Sequence, residues 1–183
     1  DAVRSRGLGD VYKRQGSAGY EVDYAAAYNS KGEFTISTVA GGNGAGTANN
    51  QFNYTSGLYV DTSGNVYVAD LLNHRVQKWE KGATSGTTVA GGNGAGSAAS
   101  QLNKPHGIFV DTSGNLYIAD SENHRIQKWE PGATEGITVA GCNGQGIASH
   151  DLNIFDKLNS PQGVFVTDVG DIYVADTGNN RIQ

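Results

Sequence analysis

The chain has one cysteine, no methionine and three prolines in 183 residues, and none of its apolar runs approaches membrane-spanning length. A single thiol, Cys142, cannot close an internal disulfide, so the cross-linked small-domain class is excluded and the compartment stays open. Cys142 stands where sister segments have Gly42 and Gly92, which makes it a small residue in a glycine slot rather than a nucleophile. Cations are also scarce, 13 Lys and Arg against 18 Asp and Glu. Residues 1–15 hold four of the cations and two of the anions, so the rest carries nine positive and 16 negative side chains, a net charge of −7. With no basic run to neutralise phosphates, neither nucleic acid nor a membrane is an expected partner. Long apolar segments of 3.6-residue period are missing too, which removes helices as a means of covering a sheet.

Glycine is abundant, at 27 residues, and occurs with nine Tyr and many Asn, Thr and Ser, the composition of a turn-rich all-β chain. The chain is organised around residues 105–130, PHGIFVDTSGNLYIADSENHRIQKWE. Near-copies flank it, GLYVDTSGNVYVADLLNHRVQKWE at 57–80 and GVFVTDVGDIYVADTGNNRIQ at 163–183. The Asp closing the second apolar run falls at Asp70, Asp120 and Asp176, a spacing of 50 and then 56 residues. A second marker, Thr-Val-Ala-Gly, starts at Thr38, Thr88 and Thr138. Self-similarity at this period defines a modular array.

Each unit offers four strands. The first opens on glycine at 57–60, 107–110 and 163–166. An Asp-Thr-Ser-Gly-Asn hairpin turn follows, in which Asp bonds the turn backbone and Gly takes positive φ. The second strand is 66–69, with counterparts at 116–119 and 172–175; the third is 75–79 or 125–129 and the fourth 87–90 or 137–140. The second strand is apolar at odd and even positions alike, so it needs cover on both faces. Without helices, the solution is four-stranded antiparallel sheets packed face to face around an axis, a β-propeller; a parallel β-helix has much shorter coils.

These motifs, Pro-x-Gly-Ile/Val-x-Val-Asp, Gly-Asn-x-Tyr-Val/Ile-Ala-Asp and Asn-His-Arg-Ile/Val-Gln, resemble the NHL repeat, in which each unit supplies one propeller blade. The likeness covers residues 40–183. Departures are Asn180 in place of His, Thr55-Ser56 in place of Pro-x, and a shifted acidic turn residue at Thr167-Asp168. The resemblance implies an all-β, NHL-type propeller of which this chain supplies an incomplete ring. A degenerate half blade is expected at 16–46 with strands at 20–24 and 34–40, then blades at 57–96 and 107–146 and a truncated blade at 163–183, within a protein longer at both ends. Residues 5–15, SRGLGDVYKRQ, resemble a translated sequencing adapter, so 1–15 is read as a non-native leader without structure.

Repetition separates structure from function. Asp70, Asp120 and Asp176 recur with Arg75, Arg125 and Arg181 five residues on, and Asn73 and Asn123 recur between them; a residue needed in every blade serves the blade. The glycine-rich stretches at 41–46 and 91–96 lack both a following helix and a calcium-type Asp pattern, and read as flexible links between blades. Function is sought where copies differ: Leu71-Leu72 becomes Ser121-Glu122 and Thr177-Gly178, and Tyr54-Thr55-Ser56 becomes Lys104-Pro105-His106 and Ser160-Pro161-Gln162. A longer link at 147–160 adds His150, Phe155 and Lys157. The expected binding residues are therefore Tyr54, Leu71, Leu72, His106, Glu122, Phe155 and Gln162, on a face that contacts a protein or other polymer without catalysis or cofactor. By resemblance, His106 matches the Pro-His-Gly position at which peptidyl-hydroxyglycine lyases of this fold bind zinc, so the alternative is a metal-dependent lyase or hydrolase with His106 as a ligand and zinc or calcium as cofactor. No Ser-His-Asp set, carboxylate pair or Cys-His pair follows from spacing. Asn53-Tyr54-Thr55 fits an N-glycosylation acceptor, the one hint of secretion.

Overall fold

The computed structural model describes residues 11–15, 21–25, 37–141 and 157–183. It divides into two units, residues 1–38 and 39–183. In the first, β1 (Val11–Gln15) pairs antiparallel with β2 (Glu21–Ala25), Val11 opposite Ala25 and Gln15 opposite Glu21. A strand thus stands where the sequence reading expects an unstructured leader, because Val11, Tyr12, Val22 and Tyr24 are strong strand formers within hairpin reach.

The second unit is built of blades. β3 (Thr55–Val60), β4 (Val66–Asp70), β5 (Arg75–Trp79) and β6 (Thr87–Gly91) form one four-stranded antiparallel meander. β7 (Pro105–Val110), β8 (Leu116–Asp120), β9 (Arg125–Trp129) and β10 (Ile137–Ala140) form the next. β11 (Gly163–Val166), β12 (Ile172–Asp176) and β13 (Arg181–Ile182) form a three-stranded sheet. The first strands of the two complete blades begin two residues earlier than the Gly-led pattern predicts. Across an irregularity in register, Thr55 pairs with Asp70 and Pro105 with Asp120. The remaining regular structure in the described part is three single turns of 3-10 helix, at Leu71–Asn73, Ser121–Asn123 and Thr177–Asn179.

Blades pack in sequence order. Ala69, Ala90, Tyr59 and Tyr67 of the first blade meet Ile108, Val110, Leu116 and Ile118 of the second. Tyr117, Ala119, Phe109 and Val139 of the second meet Val164, Val166 and Val174 of the third. Leu102 and Leu158, from the links, are wedged into these seams at 0% and 2% exposure, each contributing about 2 kcal/mol of burial. The both-faces rule holds where it can be checked. β8, with a blade on either side, is buried along its whole length, while β12 alternates between buried and more open positions, with Tyr173 exposed, and β4 is only half-buried at Val66 and Tyr67.

The first strands of successive blades approach closely. A Cβ on Gly57 would lie 2.3 Å from the His106 carbonyl oxygen, and one on Gly107 2.5 Å from that of Gln162, whose oxygen accepts the Gly107 N–H at 2.9 Å. That approach explains glycine in the Pro-x-Gly motif. The glycine-rich links are bonded loops rather than loose ones. Gly96 N–H donates to the Leu102 carbonyl, Gln101 Nε2 to that of Asn93 and Asn93 Nδ2 to that of Ser100. Residues 37–40, the end of the strand expected at 34–40, have no strand pairing, and 26–36 lie outside the described residues.

Candidate functional site

The recurrent Asp, Arg and Asn hold each blade to the link before it. In the second blade Asp120 is fully buried; one carboxylate oxygen accepts the Asn103 N–H at 2.6 Å, the other Asn123 Nδ2 and Arg125 Nε at 2.8 Å each. The guanidinium goes on to donate to the carbonyls of Ser97, Ala98 and Gln101. Burial is the largest influence on Asp120 and raises its pKa, against the opposing pull of Asn103, Asn123 and Arg125. Asp70 and Asp176 repeat the pattern with Arg75 and Arg181, each at 2.7 Å. These residues are architecture, as their repetition implied.

The 3-10 turns sit beside the starts of the first strands. Leu71 N–H donates to the Tyr54 carbonyl and Leu72 N–H to that of Asn53; Glu122 bonds Asn103 likewise, and Gly178 bonds Asn159. The two variable loop sets therefore share one face. On it Tyr54, at φ +63°, is 73% exposed and Leu72 43% exposed. Leu71 is not available there, since its side chain is buried. Its position faces the next blade, as the equivalent Ser121 makes plain by donating its hydroxyl to the Pro161 carbonyl of the third blade. Glu122 is exposed and pairs with Lys104 at 3.3 Å, a surface contact of small energetic weight. Gln162 is exposed at the start of the third blade. Phe155, His150 and Cys142 lie outside the described residues.

His106 is half-buried on β7, and its Nδ1 sits 2.8 Å from Ser56 Oγ of the preceding blade. Burial, the largest influence, lowers its pKa; Glu122 pulls upward and Lys104 downward, leaving a net lowering that favours the neutral ring. Ser56 and His106 on the first strands of two blades, and Gln162 just ahead of the third, occupy one repeat position, a polar row crossing the blades. The Ser56 contact was not foreseen, although its separation of 50 residues from His106 is the repeat period itself. His74 and His124 likewise act between blades. Each is held at positive φ, and each Nδ1 accepts a backbone N–H of the following blade's entry, Lys104 at 3.1 Å and Ser160 at 3.0 Å.

A zinc site takes three or four protein donors. Among the described residues no three His, Cys, Asp or Glu converge, and the Ser56 contact of His106 uses Nδ1 and leaves Nε2 uncommitted.

The opposite face is made of hairpin turns. A cleft of about 570 Å³ there is lined by Tyr59, Asp61, Phe109, Asp111, Tyr117 and Asp168 among others. Two of its aspartates serve the turns: Asp61 accepts the N–H groups of Ser63 and Asn65 at 2.9 Å and Asn65 Nδ2 at 2.8 Å, and Asp111 accepts the equivalent groups of Ser113 and Asn115. Burial alone would raise the Asp61 and Asp111 pKa values, but these donors outweigh it and hold both below the usual carboxylate value.

Sequential four-stranded meanders packed face to face, with their first strands side by side, define a β-propeller array. Its repeat is the NHL repeat, matched at residues 52–79, 102–129 and 158–183, so the chain carries three NHL repeats. No curated protein sequence matches it as a relative. Among solved structures it is similar to an auxiliary nutrient binding protein from Bacteroides thetaiotaomicron VPI-5482, at 21% identity and a TM-score of 0.54 over 68% of this chain and 35% of that one. A candidate phosphatase of the same strain matches at 19% identity and 0.54, over 68% and 33%. An auxiliary nutrient binding protein from Bacteroides ovatus ATCC 8483 matches at 15% and 0.53, over 68% and 35%. The chain spans about a third of their lengths, and at such identity the likeness concerns the fold.

Proposed function

We propose that this NHL array is a binding module whose variable loop face holds a protein or other polymer without chemical turnover. One observation carries the reading. Tyr54 and Leu72, both exposed, stand on adjoining turns of the face where the blades differ. An exposed tyrosine is a residue type that anchors interfaces, the exposed Leu72 adds apolar surface on the adjoining turn, and the row Ser56, His106 and Gln162 supplies polar contacts alongside.

A hydrolytic reading would start from Ser56 and His106. Such a pair needs a third group to orient the base, and the nearest charged candidate, Glu122, is engaged with Lys104. Binding is thus the better use of this face. The test is an array of immobilised polysaccharides and purified proteins probed with the wild-type chain and a Tyr54→Ala/Leu72→Ser double variant, with nitrophenyl ester and lactone turnover measured in parallel. A ligand held by the wild type and lost in the double variant supports the reading. Turnover that disappears in His106→Ala, or binding indifferent to the double variant, overturns it.

A further inference from the structure

The cleft on the hairpin-turn face has no part in the binding assigned to the loops, and its chemistry differs from theirs. Three turns line it, one from each blade, together with the half-buried rings of Tyr59 and Phe109, which meet edge to face at 5.3 Å. Its volume of about 570 Å³ lies within the range of about 300–1,000 Å³ usual for small-molecule sites.

What the cleft offers a ligand follows from what its turns already use. Asp61 and Asp111 are engaged by the N–H and amide groups of their own turns. The next residues, Thr62 and Thr112, are exposed, and no hydrogen bond joins their hydroxyls to another described residue. The third turn departs from this pattern. Thr167 takes the place of Asp61 and Asp111, its hydroxyl accepting the Asp171 N–H at 3.0 Å, and the carboxylate moves one residue along to Asp168, level with Thr62 and Thr112. Asp168 is exposed, lines the cleft and has no hydrogen bond or ion pair with another described residue. Its own turn does not use it, and the sister blades carry a hydroxyl in its place.

We propose that this cleft is a second binding site, for a neutral oligosaccharide, on the face opposite the variable loops and independent of them. Pyranose rings carry C–H groups whose slightly positive hydrogens sit well on the negative face of an aromatic ring, and Tyr59 and Phe109 supply those rings. Sugar hydroxyls both donate and accept; the Thr62 and Thr112 hydroxyls do the same, and the Asp168 carboxylate accepts from a sugar hydroxyl in a charge-assisted bond. The first two turns are alike, so the site repeats its contacts from blade to blade and takes a chain rather than a single sugar. Anionic ligands are opposed, because the described residues lining the cleft include three Asp and no Lys, Arg or His. A cation finds only Asp168 uncommitted, since turn donors hold the other two carboxylates.

Isothermal titration calorimetry of the full chain with cellohexaose, maltohexaose, xylohexaose and mannohexaose gives the test. At least one should bind with a dissociation constant of about 1 mM or tighter. Asp168→Ala should weaken that sugar about tenfold and Thr112→Val about threefold, the losses of a charged and a neutral hydrogen bond. Both variants alter exposed groups outside the hydrogen bonds of the fold, so circular dichroism and melting temperature should stay at their wild-type values. The Tyr54→Ala/Leu72→Ser variant should bind the sugar unchanged, which separates this site from the loop face. Failure of all four sugars to bind overturns the proposal, as does sugar binding that ignores both cleft variants or is lost in the loop-face variant. Tighter binding of tetramethylammonium or of hexagalacturonate than of any neutral sugar overturns it as well, by assigning the cleft to a cation or an anion.

Discussion

Replacing Asp120 by Asn tests the account of how the blades are held together. The substitution keeps volume and removes the charge, and whichever way the amide turns, its NH2 faces a donor: Asn103 N–H on one side, or Asn123 Nδ2 and Arg125 Nε on the other. Arg125 would keep its three carbonyls but lose its anionic partner, with 11% of its side chain exposed. Breaking a buried pair from one side costs about 3–5 kcal/mol. Burial already holds the Asp120 carboxyl above its usual range, so desolvation offsets part of the pairing and the working figure is the lower one, about 3 kcal/mol. Against a total stability of about 5–15 kcal/mol this is a large fraction. The assay is urea unfolding followed by tryptophan fluorescence, with Lys104→Met as the exposed-pair control at under about 1 kcal/mol. An Asp120→Asn loss no larger than that control, with unchanged denaturant slope, would refute the reasoning.

Gly107→Ala should lower stability by about 1–3 kcal/mol, because its Cβ would press on the Gln162 carbonyl that the glycine now approaches; thermal unfolding reads it. His124→Asn should be milder than His124→Val. Asn180 already occupies the same left-handed position in the third blade, whereas a β-branched residue is strained there, and both variants lose the bond to Ser160, about 1 kcal/mol; urea midpoints give the order. Asp61 and Asp111 have folded pKa values below their unfolded ones, so their stabilisation is present above the unfolded value and is lost as pH falls through the folded value. Melting temperature followed through the acid range should therefore drop below the ordinary carboxylate pKa of about 3.9, and Asp111→Asn should blunt that drop. For His106 the imidazole resonances should titrate with a midpoint below about 6.5, and a midpoint above it would remove the case for a neutral ring bonded to Ser56.

Much of this molecule was legible in the chain because a blade is a local object. The alternation of apolar residues, the Asp-Thr-Ser-Gly-Asn turns and the recurrence of Asp120 with Arg125 lie within some 30 residues, and they determined strand order, hairpin register and the buried ionic network. Repetition also separated these structural residues from the variable loops, and the loops do share a face. Tertiary structure decided whatever crosses from one blade to the next. Leu71 is adjacent in sequence to Leu72, yet one is buried toward the neighbouring blade and the other looks outward. Ser56 meets His106, and His74 reaches Lys104, only because first strands and entry loops of successive blades lie side by side. Side-chain pattern fixes what a sheet buries, but the wedge between two sheets fixes which residues a repeat apart come within bonding distance, and that wedge is set by the packed seams of Leu102 and Leu158.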